Sequence, residues 1–254
     1  NATKFALAIG REDENHHVGA AATAAWNPAD VTEPLDRAAM AAMARVVREA
    51  TESLEAYEHS KALEAIETFF WQFCDDYIEL VKNRAYGTAD STGVTPSEAA
   101  VLSARTTLGL GLDAFARLLA PYLPYATEEV FSWMHEGEGS VHRAAWPDAA
   151  VYEAAAGSVS ADVLDWAGKA LAELRGLKSQ AKVSMKTPIL SATLAAPTDA
   201  VEAITSTLSD IAEAGRVTGP LTVVEAAAGE GEADATVTVT ASELGEPPAK
   251  KPKA

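Results

Sequence analysis

The sequence lacks most of the features that mark secreted, membrane or catalytic proteins. Its one cysteine, Cys74, excludes an internal disulfide framework and predicts a reducing, cytoplasmic environment. No apolar run approaches the length of a membrane span, so no membrane partner is expected. The chain has no P-loop, dinucleotide-binding or HExxH motif, and no histidine lies at a suggestive spacing from Cys74. The residues therefore predict no catalytic site, no metal site and no cofactor, and Cys74 is interpreted as a packing thiol.

Basic residues are also scarce. Lys and Arg number 20 against 37 Asp and Glu, so the formal net charge is −17. This charge argues against nucleic-acid binding over the whole surface, because phosphate contacts need cations. The scarcity is uneven, however, since five cations and one anion lie between residues 168 and 188. A local basic face on an acidic protein can hold RNA, so the net charge alone does not decide the question.

What the sequence has in quantity is helical pattern, with many alanines and few strand-forming residues before residue 180. Amphipathic spacing predicts helices over about 35–56, 61–86, 96–120 and 125–135, separated by breakers that contain Gly, Pro and Ser. Within the third helix, Gly109 and Gly111 are interpreted as sites of close helix packing. Four such helices with short connections predict an antiparallel helical bundle.

The pattern changes after Pro147. A helix is predicted over about 161–181, a strand over 189–195, a helix over 199–214 and strands over 221–224 and 235–240. The predicted fold class is therefore mainly α, with a bundle followed by a small α+β domain. The expected domains are a junction helix and loop at 1–33, the bundle at 34–150, the α+β domain at 160–241 and a disordered tail at 242–254.

The second bundle helix contains the most informative segment, residues 69–84. Its apolar face is predicted from the three- and four-residue spacing of Ile66, Phe70, Phe73, Cys74, Tyr77 and Val81. Lys82 and Arg84 close the segment, where they suit the negative end of a helix and are expected at an exposed rim. On periodicity alone this is a core helix with a solvated face.

Five segments, in order, resemble the anticodon-binding region of valyl-tRNA synthetases, which are class I enzymes. They are NATKFAL at 1–7, LDR at 35–37, FFWQFCDDYIELVK at 69–82, LLAPYLPYATEEV at 118–130 and GSVHRAAWP at 139–147. The match covers residues 1 to about 150. It departs from the family at Ala38, where a bulky residue is usual, and the family's C-terminal coiled coil is not evident.

The resemblance implies a role in holding the anticodon stem and loop of valine tRNA. The family's HIGH and KMSKS signatures are absent, so no enzymatic activity is expected of the chain alone. Lys182-Val183-Ser184-Met185-Lys186 has a scrambled order and is interpreted as a basic turn. A chain that begins at Asn1 is expected to be part of a longer valine–tRNA ligase, whose catalytic core would use ATP and Mg²⁺ and whose catalytic and editing domains would be its partners.

Two alternatives stay open. The isoleucyl, leucyl and methionyl enzymes share this bundle, and an acidic helical module could instead bind another protein.

Cations that neutralise phosphates are the candidate tRNA-binding residues. In the bundle they are Arg37, Arg45, Lys82, Arg84 and Arg105, and the alternative for each is an ordinary surface ion pair. In the later helix and turn they are Lys178, Lys182 and Lys186, grouped with Lys169 and Arg175, and the alternative is a solvated basic helix. The aromatic rings of Phe70, Phe73 and Tyr77 are interpreted as core and not as stacking platforms for bases.

Overall fold

The computed structural model shows a mainly helical chain with one small sheet, and describes residue 4 and residues 26–91, 93–135, 137, 139–226 and 236–246. Its helices are α1 (Pro34–Glu55), α2 (His59–Gln72), α3 (Ile78–Tyr86), α4 (Glu98–Leu118), α5 (Pro124–Met134), α6 (Ala149–Ala156), α7 (Asp162–Gln180), α8 (Thr198–Ser206) and α9 (Leu208–Gly215). Its strands are β1 (Ile189–Ala196), β2 (Leu221–Glu225) and β3 (Thr238–Leu244). The predicted fold class, a helical bundle followed by a small α+β part, is confirmed.

Helix α1 is the centre of the bundle. It packs against α2, α4, α6 and α7, and its buried face is built largely of alanine, methionine and valine. Local signals set the helix ends. Pro34 begins α1, where its missing N–H costs nothing. Ser97 caps α4 by accepting a hydrogen bond from the amide of Ala100, and Gly87 ends α3 at φ 71°.

Two glycines of α4 allow rings to pack against its backbone, as the sequence predicts. A Cβ atom at Gly109 would lie 2.1 Å from the indole of Trp26, and one at Gly111 would lie 2.6 Å from the ring of Phe73. Any larger residue would therefore have to displace the half-buried ring of Trp26 or the buried ring of Phe73. Gly111 thus allows α4 to approach the turn between α2 and α3, whereas Gly109 accommodates Trp26, which precedes the helices.

The sheet has the strand order β2-β1-β3, with β1 parallel to β2 and antiparallel to β3. Helices α8 and α9 connect β1 to β2, and α9 packs against both α3 and α7. Buried residues of the bundle and of the α+β part form one continuous hydrophobic cluster. The α+β part is thus docked onto the bundle through the same core.

The structure corrects four details of the prediction. The helix expected at 199–214 is two helices, broken at Thr207, whose hydroxyl bonds to the carbonyls of Ala203 and Ile204. Helix α6 was not expected, and a π-helical turn, Phe73–Tyr77, joins α2 to α3. Strand β3 extends to Leu244, so residues 242–244 belong to the sheet and not to a disordered tail.

Several expectations fall outside the described residues. They are most of the junction helix and loop at 1–33, position 235 of the last predicted strand, and residues 247–254 of the tail.

Candidate nucleic-acid interface

Arg84 is a buried residue, and its predicted place at an exposed rim is wrong. It is 8% exposed because α9 of the α+β part covers the end of α3. Its Nε donates a hydrogen bond to Asp210 at 3.0 Å. Nη1 donates to Asp36 at 2.7 Å and to the carbonyl of Ala100 at 3.0 Å. Nη2 donates to Asp36 and to Asp210, both at 2.9 Å. These bonds use all five guanidinium donors. No donor of Arg84 is left for a phosphate.

The partners of Arg84 form a closed polar network. Asp36 also accepts hydrogen bonds from the hydroxyls of Tyr77 at 2.7 Å and Ser103 at 2.6 Å. Burial acts to lower the pKa of Arg84, but the carboxylates of Asp36 and Asp210 outweigh it and hold that pKa above its ordinary value. Burial raises the pKa of Asp210, although Arg84 opposes the shift, and burial followed by the Asp36 charge raises the pKa of Tyr77. The network joins α1, α3, α4 and α9.

Lys178 is the second buried cation, at 2% exposure, which also corrects its predicted role as a phosphate contact. Its ammonium donates to the carbonyls of Gly215 at 2.8 Å and Met185 at 3.2 Å. Burial lowers the pKa of Lys178 from 10.5 to about 8, with further lowering by Arg216 and Arg175. Lys178 therefore ties the turn after α7 to the end of α9 and does not face a ligand.

Three other predicted cations lie on separate parts of the bundle. Arg37 is half-buried at the start of α1 and donates from Nε to the carbonyl of Val31 at 3.1 Å. Arg105 donates from Nε to the carbonyl of Ala85 at 2.9 Å, so it sits against the C-terminal turn of α3. Arg45 is exposed in a groove between α1 and α2 that also contains Glu49 and Glu64. Arg37 and Arg105 are thus each held by a backbone carbonyl, and Arg45 lies among carboxylates.

Lys82 is exposed on α3 and lies 3.4 Å from Glu79. Arg175 of α7 also reaches Glu79, at 3.6 Å, so one carboxylate lies between two cations. Lys169 stacks over the ring of Trp166 at 4.1 Å. The surface ion pair considered as the alternative for Lys82 is thus present, and Arg175 forms a second one that the sequence did not predict. Each contributes about 1 kcal/mol or less.

Lys182 and Lys186 are both exposed in the turn between α7 and β1. Arg216 is a further cation in this region, and the sequence did not predict its position. Its backbone carbonyl accepts a hydrogen bond from the amide of Ile189 at 2.9 Å, which places Arg216 beside the same turn. We call Lys182, Lys186 and Arg216 the cationic turn. Because Arg216 follows a different helix, no local pattern marked it.

The aromatic stripe is confirmed as core. Phe73 and Tyr77 are buried, half-buried Phe70 packs on Phe115 with ring centroids 5.2 Å apart, and Phe73 packs on Tyr77 at 4.8 Å. Other rings face solvent, among them Trp71 of α2. Tyr57, 84% exposed, follows α1, and Tyr125, 91% exposed, lies in the first turn of α5. A hydrogen bond from the Tyr122 hydroxyl to the carbonyl of His59 at 2.8 Å joins the segments that carry these two tyrosines.

No metal-ligand cluster occurs among the described residues, because no three His, Cys, Asp or Glu side chains converge. Within the same residues, no helix is both long and apolar enough to cross a membrane. Cys74 is half-buried, and burial, followed by the Asp75 charge, raises the pKa of its thiol to about 11. At neutral pH Cys74 is therefore a protonated packing thiol, as interpreted from the sequence.

Comparison with known proteins agrees with this architecture. The Valine--tRNA ligase of Bifidobacterium longum (strain NCC 2705) is 72% identical over 257 aligned residues, which cover 100% of this chain and 28% of the relative. That of Cutibacterium acnes is 40% identical over 253 residues, covering 100% and 25%, and that of Leifsonia xyli subsp. xyli is 45% identical over 217 residues, covering 85% and 23%. The chain thus spans about a quarter of the length of these relatives.

A family described as "Anticodon-binding domain of tRNA ligase" matches residues 36–194. This range begins at the Asp36 of the buried network and ends in β1, so it includes the whole bundle, α7 and the turn that follows it. The resemblance stated from the five sequence segments is confirmed. The chain belongs to the family of anticodon-binding domains of tRNA ligases.

Proposed function

We propose that this chain binds the anticodon stem and loop of valine tRNA and orients that tRNA for aminoacylation by a catalytic core elsewhere in the parent protein. The family match over residues 36–194 carries the proposal. The names of the relatives, all three valine–tRNA ligases, supply the amino acid. Because these relatives are bacterial tRNA ligases, we propose a cytoplasmic location for the parent.

The chemistry of aminoacylation is assigned to the rest of the parent chain. The HIGH and KMSKS signatures are absent from this sequence, so activation of valine with ATP and Mg²⁺ would belong to the catalytic core, and removal of mischarged amino acids to the editing domain. Those two domains of the parent are the proposed protein partners. The role of this chain is to bind and position tRNA.

The surface of the bundle supports RNA binding in two ways. Arg45 and Lys82 keep their charges in solvent, and half-buried Arg105 lies next to the end of α3. Such cations neutralise backbone phosphates. Exposed rings such as Tyr57 and Tyr125 offer flat surfaces on which unpaired loop bases can stack. Both features are needed to hold a stem that ends in a single-stranded loop.

The decisive experiment compares two RNAs of equal charge and shape. Fluorescence anisotropy would measure binding of the chain to valine tRNA and to the same tRNA with its anticodon bases replaced. We expect tighter binding to the valine anticodon and a linear fall of log affinity with log salt concentration. Equal affinity for both RNAs would refute anticodon readout, and the absence of any salt-dependent RNA binding would favour a protein-interaction module.

A paired variant tests two of the bundle cations. In the Lys82→Gln/Arg105→Gln variant, the slope of log affinity against log salt concentration, the salt slope, should become shallower by about 1 for each lost phosphate contact. The preference for the valine anticodon should remain. Arg48→Gln/Arg143→Gln, at two exposed positions outside the candidate contacts, is a control with the same change in charge. A slope that stays at the wild-type value would remove Lys82 and Arg105 from the contact surface.

A further inference from the structure

The end of α7 and the strand after it form a stretch without carboxylates. Between Glu173 and Asp199 the sequence has Arg175, Lys178, Lys182 and Lys186 and no Asp or Glu. The segment after α9 repeats this pattern, with Arg216 and no acid between residues 214 and 224. In a chain with a net charge of −17, two such segments are unusual.

The fold brings the two segments together. The buried Lys178 ammonium bonds to Met185 in the first segment and to Gly215 in the second. The amide of Ile189 donates to the carbonyl of Arg216 at 2.9 Å, and the amide of Thr218 donates back to Ile189 at 2.8 Å. These bonds fix the backbone of the cationic turn as one unit. Folding therefore already orders the backbone that carries these charges, so less conformational entropy is lost when a ligand binds.

The cationic turn is not neutralised by its neighbours. Among the described residues Lys182, Lys186 and Arg216 form no ion pair, whereas Lys61, Lys82 and Arg117 each have a carboxylate within 4.0 Å. Of the acids on the packed elements, Glu213 accepts a hydrogen bond from the amide of Ser91 at 2.9 Å, and Glu79 is reached by Arg175. Glu243 and Glu246 lie close to the turn, because the amide of Gly245 donates to the carbonyl of Pro188 at 2.9 Å, but among the described residues neither forms an ion pair with its three cations.

The ends of the two helices do not account for this charge. The C-termini of α7 and α9 each carry about half a negative charge from the helix dipole. Lys178 already donates to the last carbonyl of α9. The two helix ends together offset about one positive charge. Lys178, Lys182, Lys186 and Arg216 carry four, so an excess of about three positive charges remains at the turn. That excess suits a polyanion and exceeds what capping requires.

We propose that the cationic turn, Lys182, Lys186 and Arg216, is a binding site for the phosphate backbone of tRNA, with Lys178 as the residue that positions it. This inference rests on the proposed function, because it assumes that the chain binds tRNA. The site does not read bases. Its ammonium and guanidinium groups contact phosphate oxygens, and such contacts carry no sequence preference.

The test uses the whole chain and valine tRNA between 100 and 300 mM KCl. In Lys182→Gln/Lys186→Gln/Arg216→Gln we expect the salt slope to fall by about 2 to 3 and affinity at 100 mM KCl to drop by about tenfold or more, equally for cognate and anticodon-substituted tRNA. Lys4→Gln/Arg48→Gln/Arg143→Gln removes the same charge from exposed positions elsewhere and should keep the wild-type slope. Circular dichroism would confirm that both variants are folded.

Three outcomes would overturn the site. They are an unchanged slope in the first variant, an equal loss in the control variant, and displacement of tRNA by 1 mM inorganic phosphate, which would indicate a pocket for small anions. If the wild-type chain itself shows no salt-dependent binding of tRNA, the proposed function fails first. The two failures are therefore distinguishable.

Discussion

Among single residues, Arg84 and Lys178 are both buried cations, but their partners differ. Arg84 lies between two carboxylates, which more than offset the cost of removing its charge from water. Lys178 has only carbonyl partners and lies near two other cations, so its charged form is disfavoured. The two residues therefore respond to substitution and to pH in different ways.

Replacing Arg84 should leave two buried carboxylates unpaired. In Arg84→Met we expect a loss of about 3–5 kcal/mol in the free energy of unfolding, because uncompensated charges in the interior are costly. Urea denaturation would measure it. Lys82→Met, two residues earlier on the same helix but exposed, should lose less than about 1 kcal/mol. Similar losses in the two variants would show that the network contributes little.

Lys178 should make stability depend on alkaline pH. Its pKa is about 8 in the folded chain against 10.5 as the ordinary value, so between these values the unfolded chain binds the extra proton. The contribution of Lys178 to stability must then rise with pH across this window, by about 3 kcal/mol. The measurement is urea denaturation of wild type and Lys178→Met from pH 7.5 to 10.5. Parallel profiles for the two proteins would contradict the shift.

Among the elements, the run from α2 to α3 shows what periodicity can predict and what it cannot. The spacing correctly predicted a helix that buries Ile66, Phe73, Tyr77 and Val81. It could not predict the π-helical turn, which widens one turn and shifts the faces on either side of it. Ile78 and Leu80, which follow the turn and lie outside the predicted stripe, are buried. Before the turn, Phe69 is buried and Phe70 only half-buried, because Phe69 also lies on the face of Ile66.

Helix α6 was missed for a compositional reason. The segment AAVYEAAA is almost uniformly small and apolar, so it has no polar face to set against a buried one. Its burial comes from packing on α1, a contact that sequence periodicity does not record. The helix is therefore stabilised by its neighbour more than by its own pattern.

The candidate site was predicted only in part, because its key contacts are distant in sequence. Arg84 and Asp210 are 126 residues apart, and Lys178 and Gly215 are 37 apart. The residues around Arg84 mark a helix end and give no sign that α9 covers it. Lys182 and Lys186 could be identified because a charge run is visible locally, whereas Arg216 could not.

Gly111 in α4 and Gly176 in α7 make a matched pair for testing helix packing. Gly111→Ala would place a Cβ 2.6 Å from the Phe73 ring and should cost about 1–3 kcal/mol despite its gain in helix propensity. Gly176→Ala meets nothing within 4 Å and should gain about 0.5–1 kcal/mol. Thermal unfolding would compare them. A stabilised Gly111→Ala would show that the ring can move at little cost.

For the molecule as a whole, the shared core and the Arg84–Asp210 pair predict a single unfolding unit. The bundle and the α+β part contribute to one hydrophobic cluster, so neither should unfold alone. Circular dichroism and tryptophan fluorescence should give coincident urea transitions in the wild-type chain. All five tryptophans lie at or before residue 166, so an early transition in circular dichroism without a change in fluorescence would indicate that the α+β part opens independently.

The contrast between a net charge of −17 and one unneutralised cationic turn has a kinetic consequence. At about 10 mM salt the Debye length is about 30 Å, so an approaching polyanion senses the repulsion of the whole molecule. At about 150 mM it is about 8 Å, and only the nearest charges act. The rate of association with RNA should therefore rise at first as salt is added and then fall. The acidic faces would exclude wrongly oriented encounters, and the cationic turn would define the productive approach.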